Sequence, residues 1–340
     1  MAINFKNKIL LNMKQPLVSI LAPCYNGARF LHKFFESLLE QQYKKIELVF
    51  INDGSIDDSE KIVYSYKAKM EACGMSLIYE YRENAGIGAA IDRGLKLMHG
   101  EYFTWIGIDD YYHPLFLQKL VSFMEENKKY SVVRDDGYIV DENDNTVILG
   151  KMADANYDKY NEHLFDNAIL ERNFQFGYSL VRTTDFLKIN PKRSIYPSRE
   201  GQNWQILLPL FYNGLSAFYS EPLYYVLNNS HSVSRDPRKG GLKKLLAQKE
   251  EYKKILTETL CSFPFHEREK YLLIVNDKYA RMEMRLGYEF NDGNLLKRKY
   301  QELKKLGTVK NIDHILYLRF HFPIFNKILV CLKTFIAKKS

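Results

Sequence analysis

The sequence predicts an α/β protein, a doubly wound and mostly parallel sheet followed by a C-terminal helical region. Three observations predict it. Short, nearly unbroken apolar runs recur through the first hundred residues, segments with helical spacing separate them, and strand signals fade after Gly241. Runs that are apolar throughout belong to strands covered on both faces, as parallel strands between two helical layers are. Alternation of strand and helix then demands right-handed crossovers.

Each element follows in order. LVSILA (17–22) and ELVFIN (47–52) read as buried strands, and SLIYEYR from Ser76 and YFTWIGI from Tyr102 as mixed runs of the same length. Phe30, Leu31, Phe34, Phe35, Leu38 and Leu39 mark one apolar helix face. Asp57 and Ser59 offer helix-start chemistry, and Gly74 and Gly100 stand where helices should stop. YIVDENDNTVILG reads as a hairpin of two short strands with its turn at residues 141–145. The expected domains are 1–234, with halves at 16–112 and 113–234, and a basic helical region at 235–340.

Charge sharpens that division. The 340 residues carry 49 Lys+Arg and 41 Asp+Glu, a net charge of +8. From Arg235 onward there are 24 basic and 12 acidic residues, against 25 and 29 before it. The basic third suits an anionic membrane surface, and a solvated Lys-rich helical face accounts for it equally well. Nucleic acid is not an expected partner. The N-terminal MAINFKNKILLNMKQ lacks the apolar run of a signal peptide. The apolar stretch from Ile315 is interrupted by Arg319, Pro323, Lys327 and Lys333, which leaves at most a basic amphipathic helix near 324–337. Cys24, Cys73, Cys261 and Cys331 are too scattered for a disulfide scaffold or a metal knot. The expected setting is cytoplasmic, with peripheral contact at the inner face of the cell membrane through the basic C-terminal helices as an option. Monomer and homodimer both stay open.

Ligands of open parallel sheets bind beyond the carboxyl ends of the strands. There the chain places Pro23-Cys24-Tyr25-Asn26-Gly27, Asn52-Asp53-Gly54-Ser55, Arg82-Glu83-Asn84-Ala85-Gly86 and Asp109-Asp110. Adjacent carboxylates repel unless a cation or a strong donor compensates, and Mg²⁺ or Mn²⁺ shared with a diphosphate does so. As neighbours in a strand, Asp109 and Asp110 would point to opposite sides. Alternatively the pair is a solvated turn opening a helix. Asp53 reads either as turn and cap chemistry or as a carboxylate accepting from a nucleobase imide, with Tyr25 beside the ring. GIGAAIDRG is no dinucleotide fingerprint, because a third glycine is missing and the segment follows the third strand.

VSILAPCYNGARFL, ELVFINDGSIDDS, RENAGIGAAIDRG and WIGIDDYYHP resemble, in order and spacing, the nucleotide-sugar half of glycosyltransferase family 2. The resemblance covers roughly residues 16–230. It implies a GT-A fold and an inverting enzyme that moves a sugar from a nucleoside-diphosphate donor, usually a UDP-sugar, to a glycan or lipid-linked acceptor, as in bacterial surface polysaccharide assembly. By the same resemblance Pro23 and Tyr25 flank the base and Asp53 reads it. Asn84, Gly86, Asp92 and Gly94 fall on the segment after the third strand, and Arg82 reaches the base or diphosphate. Asp109 lies near the ribose, and Asp110 holds Mg²⁺ or Mn²⁺. Gly107 and Ile91 depart from the family pattern, which has Asp and Arg there. The catalytic base falls on Glu200 in SREGQNWQILLPLFYNG, with Gly201 in place of an Asp. A different register puts the amides Gln202-Asn203 on that acidic pair. EPLYYVLNNSHSVSR matches the closing segment, with His231 as metal ligand or donor and Arg235 over the diphosphate. Phe174, Phe176, Tyr178, Tyr196 and Trp204 supply rings for an acceptor sugar, though most of them suit a core. Two other classes remain, an inactive sugar-nucleotide binder or scaffold and, less favoured, a sugar nucleotidyltransferase.

Overall fold

The structure is a computed structural model that describes residues 15–153, 161–172, 176–228, 240–264 and 266–322. The chain forms two compact units, 1–232 and 233–340.

The first unit is built on a nine-stranded sheet. Its parallel half comprises β1 (Val18–Cys24), β2 (Ile46–Asn52), β3 (Ser76–Tyr81) and β4 (Tyr102–Trp105), in the order β3-β2-β1-β4. β2 is buried along its whole length, as its nearly unbroken apolar run requires. β8 (Ser179–Arg182) joins β4 antiparallel and is followed by β6 (Tyr130–Asp141), β9 (Leu215–Asn228) and β5 (Tyr111–Tyr112). β7 (Ile148–Lys151) pairs antiparallel with β6, so the predicted hairpin forms, although β6 is a long strand of 12 residues.

Helix α1 (Ala28–Leu39) lays Leu31, Phe34, Phe35 and Leu38 on one sheet face beside α2 (Ser59–Ala72). Each large apolar side chain buried there contributes about 2 kcal/mol. α4 (Phe116–Glu126) extends the same core with Phe116, Leu117 and Leu120. α3 (Ile87–Leu97) covers residues such as Leu21 that point the other way. A Cβ at Gly94 would sit 3.4 Å from the Leu21 side chain, so small residues bring this helix close to the sheet. It ends at Leu97, three residues before Gly100, whereas α2 stops at Gly74 (φ +79°) as predicted. Short helices α5 (Phe165–Leu170) and α6 (Thr183–Ile189) precede α7 (Gln202–Asn213).

The sheet grows to one side from β1 to β3 and then returns to β1's other edge with β4. This reversal is a topological switch point, and the crevice it opens lies at the carboxyl ends of β1 and β4.

The second unit is helical in its described residues, with α8 (Gly241–Ser262), α9 (Arg268–Glu289), α10 (Gly293–Leu306) and α11 (Asn311–His321). Ala280, Met284, Leu296, Tyr300 and Leu303 form one of its buried apolar clusters. Several of its cations are spent internally. Lys299 bridges Glu283 and Glu302, each at 2.8 Å, and Arg281 joins Asp277 to Asp313. No helix among the described residues is long and apolar enough to cross a membrane. The amphipathic segment expected near 324–337 lies outside the described residues.

Candidate active site

The first two strand-end loops are latched together. α1 has no capping side chain of its own. Its orphan amides are satisfied from the next loop, as Asp57 Oδ2 accepts from Ala28 N at 2.9 Å and Ser59 Oγ from Gly27 N at 3.2 Å. Asn26 returns a bond through Oδ1, which accepts from Ile56 N at 2.9 Å. Asp57 also accepts from Ser59 N at 3.1 Å, so the predicted helix-start residue serves two helices. Pro23 lies inside β1, while the Tyr25 ring stands at the rim, 56 % exposed.

Asp53 is 3 % exposed. Its carboxylate accepts from Gly86 N at 2.8 Å and from Ala85 N at 3.2 Å, and Arg82 Nε lies 3.4 Å away. Arg82 also donates to Ala89 O at 2.6 Å, and Asn84 Nδ2 to Asp53 O at 3.0 Å. The aspartate therefore organises the whole third loop. A carboxylate offers about four acceptor positions, so three donors leave room for one more.

Above the start of α3 lies the segment leading into α7. Gly88 N donates to Ser198 O at 2.9 Å, and a Cβ on Gly86 would fall 2.7 Å from Arg199 Cα. Gln205 braces the segment by bonding Tyr196 and Ser198, while Arg199 reaches Asn84 Oδ1 at 3.2 Å. Asp92 holds its near end, accepting from Ser194 Oγ and Ile195 N at 2.8 Å each. Glu200 is half-buried here, and its backbone carbonyl accepts from Ser198 Oγ. Gly201 takes a left-handed conformation (φ +75°), and α7 opens on Gln202-Asn203, the register that places amides at the helix start. Trp105 Nε1 donates to Asn203 Oδ1 at 2.7 Å.

This packing predicts the effect of Gly88→Ala. In an open helix that exchange stabilises by about 1 kcal/mol. Here the new methyl meets Ser198 O at 2.5 Å and Ser198 N at 2.9 Å, so we expect a net loss of about 1–2 kcal/mol and a melting temperature several degrees lower. A thermal melt that rises instead would show that the segment yields.

Asp109 and Asp110 lie in a turn and not on a strand, which corrects the strand reading. β4 pairs with β8 only at Tyr102 and Phe103 and with β1 as far as Trp105, after which the chain turns, with Asp110 N donating to Gly107 O at 3.1 Å. Both acids are half-buried. Asp110 Oδ2 accepts from the Tyr178 hydroxyl, and its Oδ1 accepts from Leu227 N at 3.0 Å. Burial, and then the Asp110 charge beside it, push the Tyr178 phenol well above its usual range, so it keeps its proton and donates. The acids line a cleft of about 320 Å³ with Arg29, Lys33, Tyr111 and Glu142.

Two buried acids on β6 have no counterpart in the sequence reading. Asp136 accepts from Gly137 N and Ala153 N at 2.9 Å each. Asp135 is 1 % exposed and its oxygens lack a well-formed hydrogen bond among the described residues; burial, and then the neighbouring Asp136, raise its carboxyl far above the usual range.

Residues 19–186 match the family model Glycosyl transferase family 2. The chain carries a glycosyltransferase family 2 domain. An uncharacterized glycosyltransferase of Rickettsia typhi is 37 % identical over 149 residues, which is 44 % of this chain and 44 % of that protein. This chain thus spans less than half the length of that curated relative. The processive diacylglycerol beta-glycosyltransferase of Mycoplasma genitalium is 25 % identical over 233 residues, 64 % of this chain and 66 % of that one. Among solved structures, S. aureus TarS 1-349 in complex with UDP-GlcNAc aligns with a TM-score of 0.61 and 16 % identity, covering 89 % of this chain and 86 % of that chain. A likeness at that identity shows the fold, which is the expected mixed α/β GT-A type.

Within the family 2 domain, the fold brings Tyr25, Asp53, Arg82, Asn84, Gly86, Asp109 and Asp110 to one rim of the sheet. Glu200 reaches that rim only through the segment resting on Gly86 and Gly88. His231 and Arg235, like Phe174, lie outside the described residues. Phe176 and Trp204 pack edge to face at 5.7 Å, and Tyr178 is engaged by Asp110, so these rings serve packing and positioning. Among the described residues no group of three or more His, Cys, Asp or Glu is arranged to hold a metal ion alone. Two adjacent carboxylates nevertheless fit Mg²⁺ or Mn²⁺, which take one or two of them together with substrate phosphates and water. Sequence reasoning missed Tyr178 as a partner of Asp110, Leu227 as its backbone donor and Asn203 as the partner of Trp105. No local pattern flags contacts 68, 117 and 98 residues apart.

Proposed function

We propose that the chain is an inverting glycosyltransferase that moves a sugar from a UDP-sugar to a glycan or lipid-linked acceptor in bacterial surface polysaccharide assembly. The observation that carries this reading is the convergence of Tyr25, Asp53 and the Asp109–Asp110 pair at the switch point of a family 2 domain. TarS in its UDP-GlcNAc complex and the Mycoplasma diacylglycerol enzyme supply the donor and acceptor classes.

In this reading Pro23 and Tyr25 flank the base, and Asp53 accepts from its imide on the position its loop leaves open. Arg82, Asn84 and Gly86 shape the adjoining wall, Asp109 takes a ribose hydroxyl, and Asp110 holds Mg²⁺ or Mn²⁺. When bound, that cation neutralises charge developing on the leaving diphosphate. Glu200 removes the acceptor hydroxyl proton while the acceptor oxygen displaces the diphosphate from the opposite face of the anomeric carbon. The basic region at 235–340 gives peripheral contact with an anionic inner membrane face.

The test combines the protein with UDP-sugars, Mn²⁺ and candidate acceptors and follows UDP release. Glu200→Gln should lower the rate by about 10²–10⁴ while UDP still stabilises the fold. An unchanged rate refutes the assignment. The opening of α7 on Gln202-Asn203 favours one second reading, a donor-binding scaffold without turnover. UDP binding with no turnover on any acceptor would identify it.

A further inference from the structure

We propose that Tyr178 is a positioning residue for the acid pair, its hydroxyl fixing the Asp110 carboxylate in the orientation that receives the cation. The proposal rests on the donor reading above.

The geometry is over-determined. Gly177 is left-handed (φ +59°), and a Cβ there would lie 2.5 Å from Asp135 O, so glycine is needed where the chain turns into β8 and aims Tyr178. The ring is then held edge-on by Tyr224 at 4.6 Å and by Tyr112 at 5.9 Å. Its hydroxyl donates to Asp110 Oδ2 and accepts a long bond, 3.4 Å, from Gly107 N. One phenol thus ties the backbone at the start of the acidic turn to the carboxylate at its end. Leu227 N grips the other oxygen at 3.0 Å, so rotation of the carboxylate is blocked from both sides. Gly107 keeps this corner open, because a Cβ there would fall 2.8 Å from Asp109 Oδ1 and 4.0 Å from the Tyr178 oxygen. A carboxylate already held in place loses no rotational freedom when a cation arrives. Without the phenol, the same carboxylate must be ordered at the moment of binding.

The experiment is a Mn²⁺ titration of the full chain with UDP present, read by thermal shift, for wild type, Tyr178→Phe and Tyr224→Phe. Tyr178→Phe keeps the ring and removes one charge-assisted hydrogen bond, so its Mn²⁺ midpoint should rise about tenfold. Its rate at saturating Mn²⁺ should stay within about threefold of wild type, which separates positioning from general damage. Tyr224→Phe should titrate as wild type, because among the described residues the Tyr224 hydroxyl makes no hydrogen bond to the Asp110 carboxylate while its ring packs on Tyr178. A Tyr178→Phe midpoint equal to wild type overturns the positioning role alone. A comparable shift in Tyr224→Phe overturns it too, by showing that ring packing sets the midpoint. Wild-type protein stabilised by UDP with no response to Mn²⁺ overturns both this role and the cation site of the donor reading.

Discussion

Asp110→Asn is expected to lower UDP release by about a thousandfold and to abolish the extra stabilisation that Mn²⁺ gives in the presence of UDP. The substitution keeps volume and shape while removing the charge. Asparagine still presents an oxygen to Leu227 N, and the Tyr178 hydroxyl turns to accept from the new amide, so the turn itself survives. The fold should therefore lose only about 1–2 kcal/mol, the difference between a charge-assisted and a neutral hydrogen bond. A thousandfold rate loss corresponds to about 4 kcal/mol of transition-state stabilisation, so the catalytic effect exceeds the structural one. Melting without nucleotide and turnover with saturating Mn²⁺ separate the two. Near-wild-type turnover would refute Asp110 as the cation ligand.

Asp53→Ala should strike stability and nucleotide binding together. The carboxylate receives Gly86 N at 2.8 Å, Ala85 N at 3.2 Å and the Arg82 guanidinium at 3.4 Å while almost wholly buried. Removing it orphans two backbone donors and a cation, a loss of about 3 kcal/mol after allowing Arg82 its access to water. That corresponds to a fall of roughly 6–12 °C in melting temperature for a domain of this size. Below the transition, the folded variant should show no stabilisation by UDP, because the third loop has lost its anchor and the base its acceptor. A variant that melts within a degree of wild type and still binds UDP would show that the loop is held by its other contacts.

Much of the fold was legible in the sequence. Strands β1 and β2 declare themselves because a strand buried on both faces is apolar at most of its positions. The face of α1 was equally plain, since Phe34, Phe35 and Leu38 follow the helical period whatever they pack against. Polar residues at the carboxyl ends of successive strands marked the rim. The antiparallel half was harder. Its strands pair across β8, β6, β9 and β5, out of chain order, and β9 alone spans 14 residues with breaks in register. Short-range periodicity carries no information about such partners.

The candidate site divides the same way. Asp53, Asp109 and Asp110 were visible as residue types in the right loops, but their surroundings were not. Asp53 looked like a turn residue with a vacancy for a base, whereas folding wraps loop 82–86 around it. Glu200 does stand next to a helix start, directly before the Gly201 cap, but the first turn of α7 itself carries amides.

By itself, then, the chain's order of residues determined which segments become strands and helices, and which loops carry acid. Those properties depend on neighbours within a turn or two, where period and capping act directly. Only the tertiary structure decided what each acid touches. Tyr178 and Leu227 reach Asp110 across 68 and 117 residues because β8 pairs with β4 just before the acidic turn and β9 pairs with β5 just after it, and a contact made by strand order leaves no trace in local spacing.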